Sequence, residues 1–131
     1  MQFKIRNIVS GSITGGQVSV FEETTAPGEG PPLHSHVAQI EVFHILKGRY
    51  TFVVNGKETV AGPGDCLVVP AGAPHTFKNI DASESVMHFE LLPSGTSEAF
   101  FDRIVADFAG IADVPAFFKQ HGLELLGPPI Q

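Results

Sequence analysis

The chain of 131 residues has no tryptophan, one tyrosine and one cysteine. The lone Cys66 excludes an internal disulfide and fits a reducing compartment. Nowhere does the sequence reach the roughly 18 consecutive apolar residues of a membrane-spanning helix, and its opening, MQFKIRNIVS, carries no long apolar run and no cleavage-site pattern. The expectation is a soluble, cytoplasmic protein without a membrane partner. Basic residues are also scarce: eight Lys and Arg face 14 Asp and Glu for a net charge of −6, and none of the cations cluster. Nucleic acid is therefore not an expected partner.

What is present describes a folded domain. Apolar residues make up 43% and charged residues 17%, with eleven Phe, a composition of compact chains and not of disordered ones. The length suits one domain with a real core. Fourteen Gly and ten Pro, spread along the chain, imply many tight turns and a β-rich fold. Residues 2–10 and 17–25 alternate around Gly15-Gly16, with Phe3, Ile5, Val18 and Val20 as the apolar positions. Ala26 to Pro32 is expected to be a loop. Further strands are predicted over 41–46, 50–54, 57–60, 67–69, 75–78 and 85–92, separated by turn signals of which Asn55-Gly56 is the strongest. The wholly apolar run Leu67 to Val69 predicts a strand buried on both faces. The strand spacing suggests a sandwich or barrel.

After Pro93 the period changes. Phe100, Phe101, Ile104, Val105 and Phe108 recur at three and four, predicting an amphipathic helix capped by Thr96 or Ser97 and stopped near Gly110. A second short helix is predicted after Asp113, with Pro115 in its first turn and Gly122 at its end. The organisation expected is a β-domain over 1–93 with a helical tail over 94–131, whose apolar stripe must cover the barrel or a partner subunit.

The chemistry is concentrated in two stretches. On an extended strand His34 and His36 project to one face, and a bend or bulge near Val37 to Gln39 would return the carboxylate of Glu41 to them. His75 opens a later strand directly after a Pro/Gly turn. If that strand lies beside the first, three imidazoles and one carboxylate converge. Such a set suits one divalent transition metal, Fe, Mn, Ni, Cu or Zn, and not Ca or Mg, which prefer oxygen alone. On an octahedral ion it leaves positions open for substrate or dioxygen.

These stretches carry a resemblance. Gly28, His34, His36, Glu41 and Gly48 meet the pattern G-x5-H-x-H-x4-E-x6-G, and Gly64, Pro70, Gly72, His75 and Asn79 meet G-x5-P-x-G-x2-H-x3-N. These are the two motifs of the cupins, and the chain resembles small single-domain metal-binding members similar to quercetin 2,3-dioxygenase. The resemblance implies an all-β fold, an antiparallel jelly-roll barrel with a short C-terminal helical extension. It also implies metal ligation by His34, His36, Glu41 and His75, and a homodimer in which the first strand is exchanged. The function implied is a dioxygenase, an oxidoreductase acting on a small aromatic or enol-type substrate, with Glu41 both a ligand and the catalytic acceptor of the substrate hydroxyl proton. The alternatives are a sensor cupin that binds a metal or small molecule without turning it over, or a metal-dependent isomerase.

The remaining candidates read more plainly. His44, at odd spacing from Glu41, faces away from it, His88 is ambiguous in parity, and His121 sits at a helix C-terminus. Cys66 is expected to be a small buried residue, and Phe100, Phe101, Phe117 and Phe118 to be packing residues. Phe43, Ile45, Phe52, Val54, Phe77, Met87 and Phe89 are the expected pocket lining, because they share strands with the ligands.

Overall fold

The computed structural model describes residues 3–131, so the first residue of the predicted opening strand, Gln2, lies outside the described residues. Among the described residues, ten strands form two five-stranded antiparallel sheets. One sheet holds β1 (Lys4–Val9), β2 (Ser19–Thr25), β9 (Ser85–Leu92), β4 (Ile40–Lys47) and β7 (Cys66–Val69), in that order. The other holds β10 (Leu123–Gly127), β3 (Leu33–His36), β8 (His75–Asn79), β5 (Tyr50–Val54) and β6 (Lys57–Ala61). Neighbours in space are mostly distant in sequence, as in a jelly roll. No helix among the described residues is long and apolar enough to cross a membrane.

The core lies between the sheets. On β9, Ser85, Met87, Phe89 and Leu91 are buried and their neighbours are not, the period of a strand with one face inward. Met87 and Phe89 meet Phe21, Phe43, Ile45, Tyr50 and Phe52 in one cluster. The turns place Gly where only Gly fits. Gly48 has φ +83°, and a Cβ there would lie 1.9 Å from Ser85 Oγ. Asn79, expected to be structural, binds the backbone of Thr25 and Ser83 through Nδ2 and receives Asp81 N and Ser85 Oγ at Oδ1.

Three expectations are corrected. β7 is an edge strand, so only Val69 is buried, Val68 is 60% exposed and Cys66 is exposed as well. On β2 the inward residues are Ser19, Phe21 and Thr25, not the Val18/Val20 set. That face tolerates polar groups because they are hydrogen-bonded: Ser19 to Glu98, and Thr25 to Glu23 and Tyr50. Finally, the tail is not helical to its end, since LELLG forms β10.

The tail begins with α1 (Ser97–Asp107), continues through a 3₁₀ turn (Phe108–Gly110) and ends its helical part with α2 (Val114–Gln120). Asp113 caps α2 by accepting from Ala116 N at 3.0 Å. Thr96 occupies the N-cap position of α1, but its hydroxyl bonds His121 Nδ1 at 2.7 Å instead. Phe100, Ile104, Phe118 and Leu123 are buried together with Phe3 packed against them, and Phe101 reaches Phe21 and Phe89 of the barrel. The chain then returns as β10, which pairs with β3 and closes its outer edge.

Candidate metal centre

His34 and His36 stand on β3, and the turn at Val37 to Gln39 carries the chain across to the other sheet, where Glu41 lies on β4. The parity change anticipated for Glu41 is therefore a sheet crossing and not a bulge within one strand. His75 is directly opposite His34 across the β3–β8 pair. One potential ligand atom from each of His34, His36, Glu41 and His75 lies within 4.8 Å of all the others, and all four side chains are buried. Glu41 Oε1 is 2.9 Å from His75 Nε2 and 3.3 Å from His36 Nε2. Ligands about 2.1 Å from one ion at right angles stand about 3.0 Å apart, so the donor set fits a transition metal in type and in spacing.

The opposite ring nitrogens are anchored. His34 Nδ1 pairs with Pro32 O at 2.8 Å and His75 Nδ1 with Ala73 O at 2.9 Å. An Nδ1–H donated to a carbonyl leaves the Nε2 lone pair free for a ligand bond. His36 Nδ1 pairs with Gln39 Oε1 at 3.3 Å, while Gln39 Nε2 reaches Pro93 O, Ser94 O and Ser97 Oγ at 2.8, 3.0 and 2.9 Å. Gln39 thus ties a ligand histidine to the start of α1. Sequence reasoning assigned it only to a bend.

Burial, and then the neighbouring His75 and His36 rings, push the pKa of His34 down to about 3, so it is a neutral imidazole at neutral pH. Burial alone would raise the Glu41 carboxyl, but the charge of His36 and hydrogen bonds with His36 and His75 outweigh it and hold Glu41 below the usual carboxylate range. At His75 burial acts to lower the pKa, and the Glu41 carboxylate beside it reverses the direction and raises it.

A cavity of about 80 Å³ lies against this quartet, lined by His34, His36 and Glu41 together with Phe43, Phe77 and Phe89. The other expected lining residues, Ile45, Phe52, Val54 and Met87, do not reach it. Ile45, Phe52 and Met87 belong to the buried core, and Val54 packs on it. The tail takes their place: Phe100, Phe101, Phe108 and Phe118 line the cavity, so three of the four tail phenylalanines read as packing also face the site. His44 faces away from Glu41 and pairs with Glu90, His88 pairs with Glu22 at 2.9 Å, and His121 binds Thr96; none joins the quartet.

A second carboxyl, missed in the sequence, also lines the cavity. Glu23 accepts a hydrogen bond from Thr25 Oγ1 at 2.9 Å, and Thr25 Oγ1 is 2.9 Å from Tyr50 Oη. Burial pushes the Glu23 pKa up to about 8; the Thr25 hydroxyl pulls it down and the Glu41 charge adds to the rise. The inward parity of Phe21 and Thr25 was the available signal, and the apolar alternation of Val18 and Val20 drew attention to the opposite parity.

Comparison with known proteins gives this site its context. Residues 21–91 match the cupin domain family. The chain is 32% identical to quercetin 2,3-dioxygenase of Bacillus subtilis over 97 residues, 74% of this chain but 28% of that one. It spans less than half the length of the curated relatives it matches. A crystal structure of a predicted oxalate decarboxylase from Thermotoga maritima superposes with a TM-score of 0.67 at 21% identity, over 70% of this chain and 80% of that one. A sugar phosphate isomerase of the cupin superfamily from Silicibacter pomeroyi does so at 0.59 and 24%, over 70% and 60%. These likenesses extend to fold alone at such identities, but the family match covers both motif stretches and all four residues of the quartet. The chain is a member of the cupin family.

Proposed function

We propose that the protein is a metal-dependent dioxygenase acting on a small aromatic or enol-type substrate. The observation that supports this most is the buried three-imidazole, one-carboxylate quartet opening onto an apolar cavity. A charged group placed among apolar walls costs stability unless it is paired or ligates a metal. His34, His36 and His75 through Nε2, and Glu41 through its carboxylate, would hold one divalent ion of the Fe, Mn, Ni, Cu or Zn class. When bound, such an ion supplies Lewis acidity and, for its redox-active members, electron transfer with dioxygen.

The chain's own residues account for the rest. Glu41, whose carboxylate stands in the quartet and faces the cavity, is the group placed to accept the proton of a substrate hydroxyl. Phe43, Phe77 and Phe89 on the barrel, with Phe100 and Phe101 on the tail, hold an aromatic face and keep water away from the reacting atoms. The volume limits the substrate. Counting roughly 10–15 Å³ of such space per water, about 80 Å³ holds on the order of five to eight waters, suited to a one-ring compound and cramped for a three-ring flavonol. A relationship with quercetin 2,3-dioxygenase supports the reaction class, and the cavity argues for a smaller substrate than that relative's name states. A homodimer belongs to the same reading, on the strength of the family resemblance.

Oxygen uptake by protein loaded separately with each of the five metals, against a panel of one-ring catechols and enols and against quercetin, tests this reading. Uptake with one-ring compounds is expected in at least one metal form. Glu41→Gln is expected to lower it by about 100-fold or more while metal remains bound. No uptake in any loaded form would replace the dioxygenase with the binding module or the isomerase.

A further inference from the structure

The inward face of β2 carries an acid that the ligand quartet does not use. Strand register places it. Glu41, Leu91 and Ser19 form one row across β4, β9 and β2; Phe43, Phe89 and Phe21 form the next; Ile45, Met87 and Glu23 form the third. Glu23 is itself half-buried, since its carboxyl opens on the cavity, but it occupies a row whose other members, Ile45 and Met87, are almost completely buried, and it is separated from the row of Glu41 by a band of phenylalanines. An ionisable group in such a row costs stability for the fold, and it lines the same cavity as His34, His36 and Glu41.

Its two oxygens are not equivalent. Tyr50 Oη and Thr25 Oγ1 form a chain ending in donation to Glu23 Oε2, and among the described residues nothing hydrogen-bonds Oε1. The other titratable groups lining the cavity are Lys4, Glu29, His34, His36 and Glu41. Lys4, the one Lys or Arg among the described lining residues, is paired with Glu84 at 3.2 Å, so Glu23 has no cation of its own. Burial keeps a proton on the carboxyl at neutral pH, and with Oε2 accepting from Thr25 that proton belongs on Oε1.

We propose that Glu23 is a specificity-determining residue: its Oε1–H donates a hydrogen bond to an acceptor oxygen at the far end of a one-ring substrate whose hydroxyl end lies at the His34–His36–Glu41–His75 quartet. The aromatic band of Phe21, Phe43 and Phe89 lies between the two polar ends, which is where the ring of such a compound would sit. The substrate class is thereby narrowed to one-ring catechols or enols bearing a carbonyl opposite the metal-binding oxygens. This rests on the reading of the cavity as the substrate site.

Anaerobic calorimetric titration of the metal-loaded protein with 3,4-dihydroxybenzaldehyde and with 4-methylcatechol tests it, because the two probes share the catechol and differ in the far acceptor. The quantity read is the affinity ratio of the two probes, compared between the parent, E23Q and E23A, which removes their intrinsic difference in metal affinity. The ratio is expected to fall about tenfold in E23A, the worth of one buried hydrogen bond, with 4-methylcatechol affinity changing little. E23Q keeps an N–H donor and is expected to retain most of the preference. Should E23A fail to fold, E23L fills the Ile45–Met87 row without a donor and serves in its place. An unchanged ratio in E23A or E23L overturns the assignment of Glu23 alone. Failure of both catechols to bind the parent overturns it together with the reading of the cavity.

Discussion

At the scale of single residues, the site consists of polar groups kept where apolar ones would be more stable, and each has a partner that explains its state. Gln39 is the link that holds His36 Nδ1 while its amide nitrogen spans Pro93, Ser94 and Ser97, so the orientation of one imidazole depends on where the tail begins. Glu23 is different, because burial opposes its charge and its only described partner is a hydroxyl. The sign of the resulting pH dependence follows from linkage. A carboxyl with pKa about 8 in the folded chain and 4.5 as its ordinary value is protonated in the folded state and ionised in the unfolded one between those limits. The unfolded state then binds fewer protons, so stability is highest below about pH 4.5 and declines as pH rises towards 8, at no more than about 1.4 kcal/mol per pH unit from this group. In urea denaturation of the metal-free proteins, the stability of the parent relative to E23Q is expected to decline between pH 5 and pH 8, a difference that cancels the opposite slope of His34, whose lowered pKa makes stability rise with pH up to about 6.5. Parallel profiles for the two proteins would mean that Glu23 is ionised in the folded state.

At the scale of elements, the tail is part of the site's wall. Phe100 on α1 is 4% exposed, lines the cavity and stacks against Phe117 at 5.3 Å between ring centroids. Phe100→Ala is expected to cost about 3 kcal/mol or more, as large-to-small changes at buried phenylalanines do, and to lower the thermal midpoint measured by circular dichroism. A midpoint within error of the parent would show that the cluster of Phe100 with Ile104, Phe118 and Leu123 does not form in solution. This is also where the sequence was least legible. The H-x-H parity, the turn before Glu41 and the motif carrying His75 point to the quartet because ligand chemistry requires particular residue types at particular spacings. Asp113 and Pro115 likewise mark the second helix. LELLG has no such requirement. It is a short apolar run that becomes a strand only because the open edge of β3 is there to receive it, a tertiary effect that a local pattern does not contain. Val68 fails for the complementary reason: an apolar run reads as buried, and only the strand order reveals that β7 lies at an edge.

At the scale of the whole molecule, two sheets and a returning tail bring together residues from β1, β2, β3, β4, β8, β9 and α1 around one cavity, with four ligand-type side chains at one end and an acid across an aromatic band. The jelly roll explains how residues 34, 36, 41 and 75 meet, since the crossing at Val37 to Gln39 and the β3–β8 pairing are both features of its strand order. The reaction class, the one-ring substrate and the role of Glu23 all depend on the quartet being a metal centre. Elemental analysis of the purified protein, followed by titration of the metal-free form with each candidate ion in parallel with His75→Ala, tests that claim most directly. One bound transition-metal ion per chain is expected in the parent, with a loss of affinity of about 100-fold or more in His75→Ala. A parent that binds no transition metal, or a His75→Ala variant that binds it as tightly as the parent, would contradict it.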